Sequence, residues 1–281
     1  MSDNLARLFA RRFPTDDTRP DTTAVAGRPG GTTLEGMAGR GSCRAFTNEA
    51  PGDALVDVLA AIALSAPTKS DLQQRDIVVV RDQEIRDALD ACVPAQAWLA
   101  GAPLLLVFCG NNRRQRLIHE WWGRPFANDH MDAPFNAAVD AGIALGAFVT
   151  AAEAMGLGTC PVSGLRDRAD QVSELLGLPD HVFPVAGLAL GYPAAPPPVS
   201  PRLPLRATLH RDRYGEGDLR AEVATYDAAR AEMQPYARQR APETFGTAET
   251  YTWSDDKTRQ YARPERAGFG AFLRRKGFRL D

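Results

Sequence analysis

The sequence predicts a soluble protein of mixed helix and strand, and three observations carry that expectation. Apolar residues fall at helical spacing in 51–65 (Leu55, Val58, Leu59, Ile62), which gives a helix there one apolar face. Short, partly β-branched apolar runs at 77–80, 104–108, 159–163 and 182–190 are bounded by polar or glycine breakers, the pattern of short strands. Residues 134–157 form the longest apolar stretch, with Asp132 and Pro134 as helix start signals and Gly156-Leu157-Gly158 as its stop.

Bulk properties bound the rest. A chain of 281 residues that is 44% apolar and 24% charged can bury a full core, as one domain or two. A net charge of -2 and a pI near 6.1 lack the basic excess of a nucleic-acid binder, so small phosphorylated molecules are the better partner class. Cys43, Cys92, Cys109 and Cys160 are too far apart for a zinc or redox pair and read as reduced thiols. The N-terminus lacks a secretory core and cleavage site, which makes a cytoplasmic location the default. No membrane span is expected, because Asp140, Glu153 and two glycines interrupt 134–157.

In chain order, 5–13 is a short basic amphipathic stretch. Residues 14–33 are rich in Pro, Gly, Thr and Asp without periodicity, so 1–32 reads as an N-terminal arm and 33–281 as the folded body. The helix at 51–65 is followed by strand, helix and strand. The helix at 134–157 is apolar almost all round and must be covered on every side, either inside a core or by a second subunit that Gly142 and Gly146 let approach. Two more strands follow, then a stiff extended connector at 193–198 and C-terminal helices over 219–233 and 255–276. No internal repeat is visible.

Two polar clusters could carry chemistry. Gly39-Arg40-Gly41-Ser42-Cys43-Arg44 sets two guanidiniums around a hydroxyl beside two glycines, which suits a phosphate, although an arginine pair in a loop is equally read as a solvated surface. Ala66-Pro67-Thr68-Lys69-Ser70-Asp71 closes the first helix with short hydroxyl side chains, which are either a capping turn or donors to a polyhydroxyl ligand.

Together these motifs resemble the nitroreductase superfamily, specifically its NADPH-preferring branch of oxygen-insensitive nitroreductases and flavin reductases. Arg40, Ser42 and Arg44 match the opening signature, followed in order by Phe46-Thr47-Asn48-Glu49, the Ala-Pro-hydroxyl loop and Gln73. Gln96, Val139-Asp140-Ala141, Val162-Ser163-Gly164-Leu165-Arg166, Pro201-Arg202-Leu203-Pro204 and Thr252-Trp253-Ser254-Asp255 continue the series. The sequence departs from the pattern at Gly41, Asp71, Pro161 and Ser200, and Pro161 lies beside the reacting edge where acceptor preference is set.

The resemblance implies an α+β fold with a central, mainly antiparallel sheet flanked by helices and a long buried dimer-interface helix. It implies a homodimer with FMN at the interface and NADPH or NADH as electron donor. Arg40, Ser42 and Arg202 would bind the FMN phosphate, and Arg44 would face the pyrimidine edge of the ring. Thr68, Lys69 and Ser70 would line the ribityl chain and ring, and Val162, Ser163, Gly164 and Gln96 the N5 side. Arg238 or Arg240, with Arg266 on the last helix, would meet the NADPH phosphate or the acceptor, although arginines on such helices are also ordinary solvated residues.

No histidine pair has metal-ligand spacing, and no metal is expected. Neither a serine elbow nor a Walker loop is present. Trp121 and Trp122 beside Arg113, Arg114 and Arg116 read as a lid or packing element, or as a stacking surface for an aromatic substrate. The expected activity is a ping-pong transfer of electrons from NAD(P)H through FMN to a nitroaromatic, quinone or free flavin. The same fold also admits reductive dehalogenation, flavin fragmentation, or flavin binding without turnover.

Overall fold

A computed structural model describes residues 2–16 and 19–281. In chain order its elements are α1 (Ser2–Arg12), α2 (Gly31–Gly39), α3 (Asp53–Leu64), β1 (Arg75–Val80), α4 (Gln83–Ala91), β2 (Leu104–Asn111), α5 (Arg113–Trp121), α6 (Asp132–Ala154), β3 (Gly158–Val162), α7 (Ala169–Leu175), β4 (Val182–Gly191), α8 (Leu219–Met233), α9 (Pro242–Phe245), α10 (Trp253–Tyr261) and α11 (Phe269–Arg275). They form two compact units, one of Met1–Gly41 with Pro198–Glu265, the other of Ser42–Pro197 with Arg266–Asp281.

The second unit holds the sheet, in the order β1-β2-β4-β3 with every neighbouring pair antiparallel. Because side chains alternate along a strand, β2 serves two cores at once. Leu104, Leu106 and Phe108 face α3 and α6, whereas Leu105, Val107 and Cys109 face the side where Leu89 and Val172 pack. Phe148 of α6 meets Phe108 edge-on with ring centroids 5.8 Å apart, and both rings are fully buried. Pro161 lies in β3, an edge strand, where a residue without an N–H costs no ladder bond on the open side. The C-terminal stretch packs Phe272, Leu273 and Phe278 against Phe183 in a third cluster.

One face of α6 is buried within the chain, whereas Phe135, Val139 and Ile143, spaced four apart, are 57%, 42% and 39% exposed, so of the two ways of covering this helix a core within the chain accounts for one face only. One expectation needs correction. The expected helix over 255–276 is two helices, because Pro264 cannot continue a helix and Arg266 adopts a left-handed φ of 55°. Arg266 therefore precedes the last helix instead of lying on it.

The first unit contains α1, α2 and α8 to α10. α1 packs against α2 and a short 3-10 turn at Thr22–Val25, so the arm begins with a helix and is otherwise nearly without regular structure up to α2. α8 packs on α10, with Tyr226 edge-on to Trp253 at 5.2 Å and the buried Asp227 carboxylate accepting from Ser254 N at 2.9 Å.

Among the described residues α6 is the one helix long and apolar enough to cross a membrane. Its Asp140 is fully buried and hydrogen-bonded to another segment of the chain, as a helix at the centre of a protein core allows.

Candidate functional site

The residues named from the sequence lie in both units, and each group is built within its own. In the first unit Arg40 ends α2, leaving the helix on an extended path with φ −61° and ψ 151°. Carbonyls at a helix C-terminus have no partner within the helix, and the Arg12 guanidinium takes two of them. Its Nη2 donates to Ala38 O at 2.9 Å and to Arg40 O at 2.6 Å. Nη1 of Arg12 donates to Ser200 O at 2.6 Å, and Arg202 N donates to Arg12 O at 2.6 Å. Arg40 and Arg202 line the same cavity of about 650 Å3. Its wall is otherwise mostly apolar, with Phe9, Phe13, Leu34 and Met37, and includes the Asp21 carboxylate; Arg202 Nη1 donates to Pro201 O at 3.0 Å. Forked cations such as these two suit a phosphate.

Arg238, in the same unit, is exposed. Arg240 is engaged already, its Nε 3.2 Å from the Asp256 carboxylate. Burial opposes charge on Asp256, yet hydrogen bonds from Lys257, Tyr251 and Arg240 outweigh it and hold that carboxyl below the usual range.

In the second unit the segment around Ser42 and Arg44 is pinned by backbone bonds. Cys43 N donates to Thr159 O at 2.9 Å, Thr47 N to Tyr192 O at 2.8 Å, and Ala194 N to Ala45 O at 3.0 Å. The approach is close enough that a Cβ on Gly158 would stand 2.6 Å from Cys43 Sγ. Burial pushes the Cys43 thiol up, which disfavours its thiolate form. Arg44 is exposed and lies over the Trp98 ring, 5.7 Å from its centroid.

Trp98 belongs to the helical turn Pro94–Gly101, which also carries Gln96. The Gln96 amide reaches Gly164, where a Cβ would lie 2.9 Å from Nε2 and 3.0 Å from Val93 Cγ1. A side chain at 164 would therefore displace the Gln96 amide and crowd Val93. The structure brings Gln96 to Gly164, and Arg44 to the turn that bears Gln96. Val162 is buried in the core, whereas Ser163 is exposed at the head of the next turn.

Thr68, Lys69 and Ser70 form the loop between α3 and β1. Three non-glycine residues there have left-handed φ, Ser70 at 49°, Asp71 at 54° and Gln73 at 52°, a strain that persists only where surroundings impose it. Asp140 imposes it: Lys69 N donates to Oδ1 and Gln74 N to Oδ2, each at 3.0 Å. The Lys69 ammonium is 3.8 Å from Asp132, but both side chains are about half exposed, so this pair contributes little. Arg266 also has a partner, its Nη1 3.0 Å from Asp167. Trp121 and Trp122 are 72% and 70% exposed, and the Arg124 guanidinium lies over the Trp122 ring, 5.3 Å from its centroid.

Three residues of this architecture were not singled out as site residues from sequence. Asp140 left a signal, an acid in the middle of an apolar helix. Arg12 and Trp98 left none, because their roles depend on carbonyls and a guanidinium distant in sequence.

Residues 37–192 match the Nitroreductase family profile, and residues 200–281 match the profile of the Nitroreductase family, C-terminal domain. The FMN reductase (NAD(P)H) of Bacillus subtilis is 30% identical, the alignment covering 88% of this chain and 98% of that protein. An oxygen-insensitive NADPH nitroreductase of Salmonella typhimurium is 33% identical, covering 88% and 98%. The solved structure of an NADPH:FMN oxidoreductase from Vibrio harveyi complexed with NAD+ superposes with a TM-score of 0.76 at 32% identity, covering 87% of this chain and 97% of that one.

Asp140→Asn keeps the shape but replaces one of two acceptor oxygens with a donor that faces a backbone N–H. A stability loss of about 2–3 kcal/mol is expected, the cost of one unsatisfied buried group and a weakened charged acceptor. Denaturant unfolding measures it, and amide exchange should accelerate at Lys69 or Gln74 ahead of the β2 amides.

Proposed function

This chain belongs to the nitroreductase family and is an NAD(P)H-dependent flavin oxidoreductase, and from that premise we propose how its residues divide the work. The observation that carries the reading is the pair Arg40 and Arg202 on one cavity, two forked cations matched to the FMN phosphate. Ser42 adds a hydroxyl donor. Thr68, Lys69 and Ser70 hold the ribityl chain and ring, and Val162, Ser163, Gly164 and Gln96 meet the N5 side. Residues 33–281 form the FMN-binding body, with 1–32 an added arm.

FMN, when bound, would supply the redox chemistry, the transfer of electrons from NAD(P)H to a nitroaromatic, quinone or free flavin in a ping-pong order. The protein needs no dedicated acid or base for hydride delivery; its residues position and polarise. Arg44 would face the pyrimidine edge of the ring, where a positive charge would favour the reduced flavin. Its exposed guanidinium lies over the Trp98 face. Arg238, Arg240 and Arg266 meet the NADPH phosphate; Arg238 is exposed, whereas Arg240 and Arg266 exchange an internal carboxylate for the ligand.

The exposed stripe Phe135, Val139 and Ile143 on α6 supports a homodimer built on this helix. Gly142 and Gly146 favour close approach, since a Cβ on either would meet nothing within 4 Å. Four buried cysteines, none joined in a disulfide among the described residues, agree with a reducing, cytoplasmic setting.

The purified protein is expected to be yellow, to bleach anaerobically with NADPH, and to regain colour on adding a nitroaromatic or quinone. Colourless protein that fails to take up FMN would overturn the reading. Arg40→Ala should raise the FMN dissociation constant by about ten- to a hundredfold, the loss of one charge-assisted contact. Arg44→Ala should lower the flavin reduction potential with a smaller effect on affinity; equal potentials in the variant and wild type would refute that division. Light scattering should give a dimer, and Val139→Arg should yield monomer.

A further inference from the structure

The family profiles begin at residue 37, so the arm lies outside the matched span, yet two of its side chains are among the most buried charged groups of the first unit. Arg12 is 7% exposed and Asp16 1% exposed. Charged groups are buried at a cost of several kcal/mol unless hydrogen bonds replace water, and such burial on a surface arm is itself informative.

The bonds of Arg12 converge on two segments far apart in sequence. One is the end of α2, at Ala38 and Arg40, reached by Nε and Nη2. The other is the stretch containing Arg202, reached by Nη1 on Ser200 O and by the Arg12 carbonyl, which accepts from Arg202 N. Asp16 reinforces the second tie, accepting from Leu205 N at 2.6 Å and from Arg206 at 3.3 Å. A guanidinium suits this task because its planar fork binds several acceptors at once, and the carbonyl end of a helix attracts a cation. Arg12, Arg40 and Arg202 all line the same cavity.

We propose that Arg12 is a positioning residue for FMN, fixing the backbones from which Arg40 and Arg202 reach the phosphate. It spends its own donors on main-chain carbonyls, and its effect on the flavin is exerted through the two arginines it spaces. An isolated body beginning at 33 would carry both arginines but lose the clamp between their backbones. This inference rests on the assignment of Arg40 and Arg202 to the FMN phosphate.

Riboflavin, which lacks the phosphate, separates positioning from general stability. Full-length protein stripped of flavin is titrated with FMN and with riboflavin, following quenching of flavin fluorescence, for wild type, Arg12→Ala and Arg12→Lys. Wild type should prefer FMN by about a hundredfold or more, the worth of two charge-assisted contacts. Both variants should reduce that preference to about tenfold or less while the riboflavin constant stays within about twofold, since a lysine keeps the charge but not the fork.

Equal weakening of both ligands would mean a merely structural role and overturn the proposal. A wild-type preference for FMN in Arg12→Lys would also overturn it, by showing that charge alone suffices. If Arg12→Ala fails to fold, Arg12→Lys carries the same comparison. Wild type that does not distinguish FMN from riboflavin would instead reject the phosphate assignment of Arg40 and Arg202, a separate outcome.

Discussion

The buried carboxylate of Asp140 constrains more of the second unit than any other single group. A full charge at zero exposure is tolerable only with strong donors on its oxygens, and here both donors are main-chain amides of one loop, Lys69 N and Gln74 N. The requirement works in both directions. The helix α6 must present Asp140 to the loop, and the loop must adopt left-handed angles at Ser70, Asp71 and Gln73 to turn both amides inward. Because Gln74 directly precedes β1, the same contact sets where the first strand begins.

Arg75 closes the other side of that loop. It is 4% exposed, and its Nη2 donates to Leu64 O at 2.6 Å and Ala66 O at 3.1 Å, occupying carbonyls that α3 leaves unpaired at its end. Arg12 does the same for α2 in the first unit. In both units, helix ends next to functional loops are capped by buried side-chain charge contributed from elsewhere in the chain. Loops ordinarily carry function at the expense of order; here internal ion–backbone contacts restore the order.

This economy matches a flavin enzyme in which the cofactor supplies reactivity. Burial opposes ionisation of the core thiols: it pushes Cys109 up to about 12 and raises Cys43 and Cys92 as well. What the chain provides is a set of cations at fixed places and small residues where close approach is needed, Gly164 beside Gln96 above all. Pro161, exposed on an edge strand, leaves a side chain without hydrogen-bonding capacity two residues before Ser163.

The sequence by itself determined the strands, the apolar central helix and the family. Each follows from local apolar patterning or from motifs in a fixed order, as with the uninterrupted apolar run at 104–108 or the triad Arg40, Ser42 and Arg44. It also placed Gln96 and Gly164 in one site by resemblance, and the structure brings them into contact. Only the tertiary structure decided which charges are already spent, because an ion pair or a carbonyl clamp depends on residues far apart in the chain. Arg266 pairs with Asp167, Arg240 with Asp256, and Arg12 joins segments 26 and 188 residues away, none of which leaves a periodic trace. The covering of α6 belongs to the same class: its apolar residues were plain to read, but which of them remain exposed in the chain depends on where the sheet and α3 pack.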